Sequence, residues 1–372
     1  MSRLAHFSIS LTSGFSSAFS SLFSPFLALL FSASFVLTAL GCNQSRNAEP
    51  DKPSAAAPSG ASQAPAQDTA QISTAKDAAV QAEFRNVMFR LTPDAAAHLQ
   101  SVSGELWPVG KYEMPVFDDK ASFELHVSQG TVSITPEALA SVLNSYVFAR
   151  SDAPLKDISI KMKEGRLVIK GKLHHKGDLP FETAGELSVD DDGRLRLHSE
   201  KVKALKVPVK KVMSLFGIEL ANVINTSKIP GMDTDKNDVI VDPSILLPPP
   251  HIRGRIASAR LERNTIVVVY GAGNTTASSE PVERRDGSLS GNYMLFRGHR
   301  VKFGKLTMED TDLAVIDLDP KDPLDWYQDR YTDQLVAGNV KMTEKFGLRA
   351  YVKDFAKLPR RPAGKSPQDD GS

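Results

Sequence analysis

The amino-acid sequence predicts an α+β fold in which an antiparallel meander lies beside two long amphipathic helices. The first observation is a repeated alternation of apolar and polar residues in short segments between residues 84 and 355, which is typical of strands with one buried face. The second is that residues 135–147 and 208–224 place apolar side chains three and four positions apart, which is typical of amphipathic helices. The chain of 372 residues is long enough to bury a sizeable core.

The first 41 residues have the organisation of a secretory signal peptide, with a basic residue, Arg3, an apolar run and small residues at its end. The run ends in Ala39-Leu40-Gly41-Cys42, and this ending resembles the lipobox of bacterial lipoproteins, in which Leu usually stands at the place of Ala39. The resemblance implies cleavage before Cys42, acylation of Cys42 and attachment to a membrane through the acyl chains. The alternative is an N-terminal helix that remains as an uncleaved anchor.

The same resemblance implies a location in the cell envelope. Asn43, rather than Asp, follows the cysteine, and in a Gram-negative host this implies the periplasmic face of the outer membrane. Residues 42–80 are rich in Ala, Pro, Ser and Gln and have almost no hydrophobic periodicity. They predict a disordered linker between the anchored cysteine and the folded body.

The first part of the folded body is predicted to contain most of the strands and both long helices. The first helix begins after Thr135, a good N-cap, and Pro136 suits its first position. Glu164-Gly165 is predicted to be a turn between two strands. The second long helix begins near Pro208. Strands are predicted at 84–91, 99–109, 121–134, 158–163, 167–173, 179–189 and 194–206.

The second part of the body is predicted to mix strands with one further helix, 322–340, which has Pro323 at its start. Strands are predicted at 239–241, 256–270 and 347–355, with a β-hairpin or two longer strands at 293–318. The domain organisation expected from these elements is one domain at 81–272, an extension or small appended module at 273–358, and a disordered tail at 359–372.

Composition and motifs argue against several functional classes. The net charge is +1, so there is no basic surplus for nucleic acid. Cys42 is the single cysteine, which excludes an internal disulfide framework and a Cys-rich metal site. The sequence has no Gly-x-Ser-x-Gly, phosphate-loop or His-Glu-x-x-His motif. We therefore expect no enzyme activity, no catalytic residue, no cofactor, no resident metal and no nucleic-acid partner.

Two acidic clusters are weaker candidates for chemistry. Residues 233–238 are similar in composition to a calcium loop, but Asp238 and Ser244 stand where an EF-hand needs Gly and Glu. Asp310, Asp312 and Asp317 belong to a dense carboxylate group at 310–325, and paired carboxylates can bind a divalent ion or act as acid and base. A metal-dependent enzyme that uses this group is the least favoured interpretation.

The order of elements between residues 123 and 271 points to a family. It runs from a strand through the Thr-Pro-capped helix, the strand PLKDISI, the hairpin GRLVIKGKL, the strands LPFETAGELSV and RLRL, and the second helix. This order resembles bacterial TULIP-type (tubular lipid-binding) lipoproteins. The resemblance implies a highly curved antiparallel sheet wrapped around one or two long helices, with an apolar groove for a ligand such as a phospholipid. The candidate groove residues are Leu139, Leu143, Val147, Met213, Phe216 and Leu220.

A core and an apolar binding groove use the same residue types, so the sequence leaves two functions open. In the first, the groove binds an apolar ligand. In the second, side chains fill the interior, and the protein is a structural or scaffolding lipoprotein that acts through contacts with an envelope protein partner. The candidate interface residues for this second function are the aromatic residues Tyr293, Phe296, Trp326, Tyr327 and Tyr331.

Overall fold

Strands dominate the computed structural model, which describes residues 78–174, 178–199, 203–204, 226, 229–271, 289 and 291–359. All of these residues fall within one compact unit, 63–372. The strands are β1 (Val80–Thr92), β2 (Ala95–Pro108), β3 (Phe123–Ile134), β4 (Leu155–Lys163), β5 (Arg166–His174), β6 (Asp178–Val189), β7 (Leu195–Ser199), β8 (Lys203–Ala204), β9 (Met232–Asp235), β10 (Asp238–Val241), β11 (His251–Arg253), β12 (Ile256–Glu262), β13 (Thr265–Tyr270), β14 (Tyr293–Arg297), β15 (Val301–Phe303), β16 (Leu306–Met308), β17 (Asp312–Asp317), β18 (Leu324–Trp326), β19 (Asn339–Met342) and β20 (Leu348–Val352).

The described helices are short. The α-helices are α1 (Pro136–Val142), α2 (Pro243–Leu246) and α3 (Tyr331–Val336). A π-helical segment, Leu143–Val147, continues α1. Two 3₁₀ helices span Gln328–Arg330 and Phe355–Lys357.

Most strands belong to two sheets. The larger sheet has the order β12-β13-β3-β2-β1-β14-β17-β20-β19, with β11 paired to β3 and β18 paired to β1. The second sheet has the order β4-β5-β6-β7-β10-β9, with β8 paired to β6. Strands β15 and β16 form a separate hairpin. Successive strands within each sheet are mostly antiparallel, whereas β17 and β20 are parallel.

Strand β1 shows how local sequence shapes the larger sheet. Its apolar residues alternate up to Phe84 and then resume at Val87, so the period slips by one residue. Asn86, between them, has a φ of +50°, a conformation that Asn tolerates better than most residues. This conformation keeps Phe84 and Val87 on the same buried face, while the pairing of β1 with β2 continues in register on both sides of Asn86.

The inner faces of the two sheets share one hydrophobic core. Leu99 and Val102 of the larger sheet and Ile158 and Leu167 of the second sheet all belong to it. Strands β14 and β17 are buried on both faces, which explains their nearly continuous apolar sequences. Their other face forms a second, smaller cluster, which contains Leu289, Tyr293, Leu295, Ala314 and Ile316.

The expectation of an α+β fold with long amphipathic helices is wrong. The described α-helices have only four to seven residues, and strands form both layers. Helix α1 does begin as the sequence predicts, with Thr135 Oγ1 accepting a hydrogen bond from the Ala138 backbone N–H. It and its π-helical continuation end at Val147, too short to be the axis of a wrapped sheet. The second expected helix, 208–224, lies outside the described residues.

The TULIP-like arrangement fails for a physical reason. Strands β4, β5 and β6 bury their apolar face in the same core as β2 and β3, so a sheet supplies the opposing apolar surface that a long helix was expected to supply. Two sheets packed face to face can satisfy each other in this way. Alternation along a strand shows that one face is buried and does not show what covers that face.

The helix expected at 322–340 is also wrong. Residues Leu324–Trp326 form β18, which pairs in parallel with β1. Buried polar side chains satisfy the backbone there in place of helical hydrogen bonds. The Asp325 N–H donates to Asp354 Oδ1 at 2.8 Å, and the Tyr327 N–H donates to Gln334 Oε1 at 3.0 Å. The last part of the expected helix contains α3 and the start of β19.

Within residues 293–352, strands β14 and β17 to β20 continue the larger sheet, because β14 pairs with β1 and with β17. This position places the aromatic residues of the segment inside the protein. The interface expected from them is therefore wrong, since all of these candidates are buried: Tyr293, Phe296, Trp326, Tyr327 and Tyr331.

Candidate functional site

An apolar cavity of about 220 Å³ lies between the two sheets. Strands β3 and β13 of the larger sheet line it on one side, and strands β4 to β7 with β9 and β10 line it on the other. Helix α1 and its π-helical continuation contribute Leu139 and Leu143, and α2 contributes Leu246. The cavity is therefore built where two sheets and two short helices meet.

The lining of the cavity is almost entirely apolar. Among the described lining residues none carries a charge, and the hydroxyl-bearing side chains are Thr183, Ser199, Thr234 and Tyr270. Burial raises the pKa of Tyr270 to about 12, so its phenol is neutral near pH 7. An uncharged apolar cavity favours an apolar ligand, because transfer of apolar surface out of water is favourable.

A polar side chain fixes the helical segment that borders the cavity. Asn144 donates from Nδ2 to the Ile158 carbonyl at 2.7 Å, and its Oδ1 accepts from the Ile158 N–H at 2.8 Å. This pair of bonds is possible because β4 has a register shift between Lys156 and Ser159. The shift lets the Ile158 peptide groups bond to a side chain. Asn144 thus attaches the helical segment to β4.

Asn144 was not predicted from the sequence as a positioning residue. Its polar side chain stands next to Leu143, which belongs to the apolar face of the predicted helix. A polar residue beside an apolar face is a signal for such an attachment, but it does not identify the partner strand.

The structure brings only part of the predicted groove together. Leu139 and Leu143 line the cavity. Val147 is half-buried and packs against the core beside it, without being one of the lining residues. The remaining predicted residues lie outside the described part of the chain: Met213, Phe216, Leu220 and the lipidation site Cys42.

Most of the described lining was not singled out from the sequence. It comes from strands that pair across long sequence separations, such as Val132 of β3, Ile169 of β5 and Val239 of β10. Each is an ordinary member of an alternating strand. Their alternation with polar residues predicts only that these side chains are buried. Burial alone does not distinguish the wall of a cavity from a filled core.

A second concave surface, with a volume of about 630 Å³, lies on the outer face of the larger sheet and is lined by both polar and apolar side chains. Its Trp107 ring stacks on His126 with centroids 3.9 Å apart. Arg253 binds the Glu124 carboxylate with two bonds of 2.7 and 2.8 Å. A hydrogen bond with His126 and this ion pair lower the pKa of Glu124 to about 2.

The outer groove is a weaker candidate site than the cavity. Its carboxylates have partners within the protein, because Glu105 accepts from Trp107 Nε1 at 2.9 Å and Glu83 accepts from Arg85 Nε at 2.6 Å. Arg85 compensates the charge of Glu83, whereas the neutral Trp107 indole engages Glu105 without compensating its charge. The apolar cavity is therefore the better candidate.

The two acidic clusters have structural roles in the described residues. Asp233 and Asp238 belong to the β9–β10 hairpin, which turns at Lys236 with a φ of +53°. Asp312 binds Arg349, and Asp317 accepts from Asn292 at 2.9 Å. Within the described part of the chain, no group of three or more His, Cys, Asp or Glu side chains is placed to hold a metal ion.

Comparison with known proteins gives no match to a family model, a curated protein or a solved structure. Within the described residues, no helix has both the length and the apolar character needed to cross a membrane. The geometry and chemistry of the cavity are therefore the basis for a functional assignment.

Proposed function

We propose that this protein is a lipid-anchored protein of the cell envelope that binds one apolar chain in the cavity between its two sheets. The observation that carries the proposal is the cavity itself, which is lined by apolar side chains and has no charged group among its described lining residues. A filled core of the same composition would leave no such space.

The volume of the cavity supports a single chain as the ligand. A cavity of about 150 Å³ holds a benzene molecule, so 220 Å³ accommodates roughly nine carbon atoms on the same scale. That is part of one acyl chain and is less than the two chains of a phospholipid. If a phospholipid binds, only a segment of one chain occupies the cavity.

The expected affinity is modest. Burying about nine carbon atoms gains about 7 kcal/mol at roughly 0.8 kcal/mol per methylene. Association costs at least about 4 kcal/mol in lost translational and rotational freedom. The net gain is at most about 3 kcal/mol, which corresponds to a dissociation constant of roughly 6 mM or weaker, and such weak affinity suits reversible binding and release of a ligand.

The proposal is tested by binding of a fluorescent apolar probe to the purified full chain, together with native mass spectrometry and solvent extraction of the same sample. We expect the probe to bind at one site, and we expect n-octane to displace it. The cavity-filling variant Val132→Phe/Val239→Phe changes one lining residue on each sheet, and we expect it to lose probe binding.

A matched control places the same chemical change outside the cavity. Val336 and Val340 are 71% and 50% exposed, so the variant Val336→Phe/Val340→Phe should bind the probe as the wild type does. Equal probe binding by the wild type and the cavity-filling variant would refute the proposal. Absence of binding by the wild type would refute it as well.

The membrane anchor is tested separately. We expect the mature protein from a bacterial host to begin at Cys42, with a mass increased by acyl groups, and we expect Cys42→Ala to remove that increase. A mature chain that retains residues 1–41 without acylation would contradict the anchor without affecting the cavity.

A second candidate function is attachment to a protein partner, and one observation favours it. Strand β19 forms one end of the larger sheet, and its residues Val340 and Met342 are 50% and 67% exposed. Phe346, in the turn after it, is 81% exposed. A terminal strand with apolar side chains is suited to pairing with a strand of another protein. Val340→Lys/Met342→Lys should abolish such an association and leave probe binding unchanged.

A further inference from the structure

We infer that the cavity selects an uncharged chain with a hydrogen-bonding oxygen, which the side chains of Thr183 and Ser199 recognise. This inference rests on the proposed function and specifies the ligand of that site. Thr183 lies on β6 and Ser199 on the neighbouring β7, and both line the cavity. They are 5% and 1% exposed, so the two hydroxyls are withdrawn from bulk water.

The two hydroxyls have unused hydrogen-bonding capacity. Thr183 Oγ1 and Ser199 Oγ bond to each other, and this bond uses only one of the two O–H donors of the pair. In the part of the chain that the structure describes, neither hydroxyl has another hydrogen-bond partner. A buried donor without an acceptor is unfavourable. A ligand oxygen that accepts from the pair removes this unfavourable state.

The pair is also set apart by its surroundings. Phe181 and Leu187 on β6 and Leu197 on β7 line the cavity around it with apolar side chains. A hydroxyl pair in such a wall defines a direction for the ligand, with the oxygen at the pair and the hydrocarbon against the rest of the lining. An alkane can contact the apolar lining, but it cannot accept a hydrogen bond from the hydroxyl pair.

Charge excludes the other common head groups. The described lining residues include no Lys, Arg or His, so a carboxylate or phosphate at the hydroxyl pair would be desolvated without a counter-ion, which is strongly unfavourable. An alcohol, aldehyde, ketone or ester oxygen accepts a hydrogen bond without this penalty. The geometry therefore favours a neutral oxygenated chain over a free fatty acid.

The test compares 1-octanol, n-octane and octanoate as competitors of the fluorescent apolar probe at pH 7, with the full chain. We expect 1-octanol to displace the probe and octanoate to bind at least about tenfold more weakly, because the charged group cannot be solvated in the cavity. In the variant Thr183→Val/Ser199→Ala, 1-octanol should lose about tenfold in affinity, the effect of one hydrogen bond, while n-octane is unchanged.

Two further results keep the test decisive. Thr183→Ser retains a hydroxyl and should retain the affinity for 1-octanol, so it controls for altered packing. The wild-type comparison of 1-octanol with octanoate needs no variant and holds if the double variant does not fold. Octanoate binding as tightly as 1-octanol, or 1-octanol binding unchanged in a folded double variant, would overturn the inference. If none of the three compounds displaces the probe from the wild type, the proposed function itself fails.

Discussion

Filling the cavity should leave the stability of the protein nearly unchanged, and this result distinguishes a real cavity from a filled core. The variant is Val132→Phe/Val239→Phe, with one substitution on β3 and one on β10, both at lining positions. Each change adds roughly four carbon atoms, at about 0.8 kcal/mol for each buried methylene equivalent. Together they come close to the roughly nine carbon atoms that 220 Å³ accommodates.

The expected change in the free energy of unfolding follows from two opposing contributions. Burial of the added carbons stabilises the folded state by up to about 3 kcal/mol at each site. Imperfect fit of the larger side chains costs about 1 to 3 kcal/mol at each site. In a cavity the two contributions nearly cancel, so we expect the double variant to lie within about 1 kcal/mol of the wild type or to be more stable.

In a filled core, by contrast, the double variant should be less stable than the wild type. No empty volume receives the added carbons, so only the overpacking cost remains, and two sites together cost about 2 to 6 kcal/mol. Chemical denaturation followed by far-ultraviolet circular dichroism measures this difference, with Val336→Phe/Val340→Phe as the exposed control. A loss above about 2 kcal/mol that is confined to the cavity variant would refute the presence of the cavity.

Three further predictions concern Asn144 and Tyr270 at the cavity and Glu124 on the outer face of the larger sheet. Asn144→Ala should lower the free energy of unfolding by about 2 to 3 kcal/mol, because it leaves the Ile158 N–H and carbonyl without their hydrogen-bond partner. Urea denaturation measures this change, and a loss below about 0.5 kcal/mol would show that water replaces both bonds. The pKa of Glu124 is lowered from 4.5 to about 2, mainly by the hydrogen bond with His126. The ionised carboxylate therefore makes its full contribution to the free energy of unfolding above pH 4.5, and this contribution is lost as the pH falls through about 2. Glu124→Gln should therefore flatten the acid limb of a stability profile, and an unchanged limb would contradict this. The pKa of Tyr270 is raised by burial from 10 to about 12. The neutral phenol therefore makes its full contribution to the free energy of unfolding below pH 10, and this contribution is lost as the pH rises through about 12. Tyr270→Phe should remove the pH dependence of stability in this range, as measured by thermal denaturation.

Local features were predictable because they depend on residues close together in the chain. The turn at Glu164-Gly165 was expected from its residues, and both have positive φ, +53° and +73°. The start of α1 at Pro136 was expected from the N-cap Thr135. Leu143 was expected on the apolar face of that helix, and it lines the cavity. Each of these follows from backbone preference or side-chain periodicity over one or two turns.

Features that depend on distant residues were not predictable in this way. Strand β1 pairs with β14 more than two hundred positions later in the chain, and this pairing places β14 inside the larger sheet. Trp326 was expected in a helix and as an interface residue, and it is instead completely buried in β18. Thr183 and Ser199 meet only because β6 and β7 are neighbours. In each case the contacting residues lie too far apart in the chain for local patterns to predict that they meet.

Most of the strands, several turns and the apolar face of the predicted strands follow from the sequence, because side-chain alternation and backbone preferences act over a few residues. Which apolar faces meet depends on contacts between distant parts of the chain. The tertiary structure placed a second sheet opposite the first where long helices were expected, and it left a volume between Val132 and Val239 that their side chains do not fill. The physical reason is that apolar attraction is non-directional, so an apolar face specifies burial, whereas the choice of partner and the fit between the two surfaces depend on the packing of the whole chain.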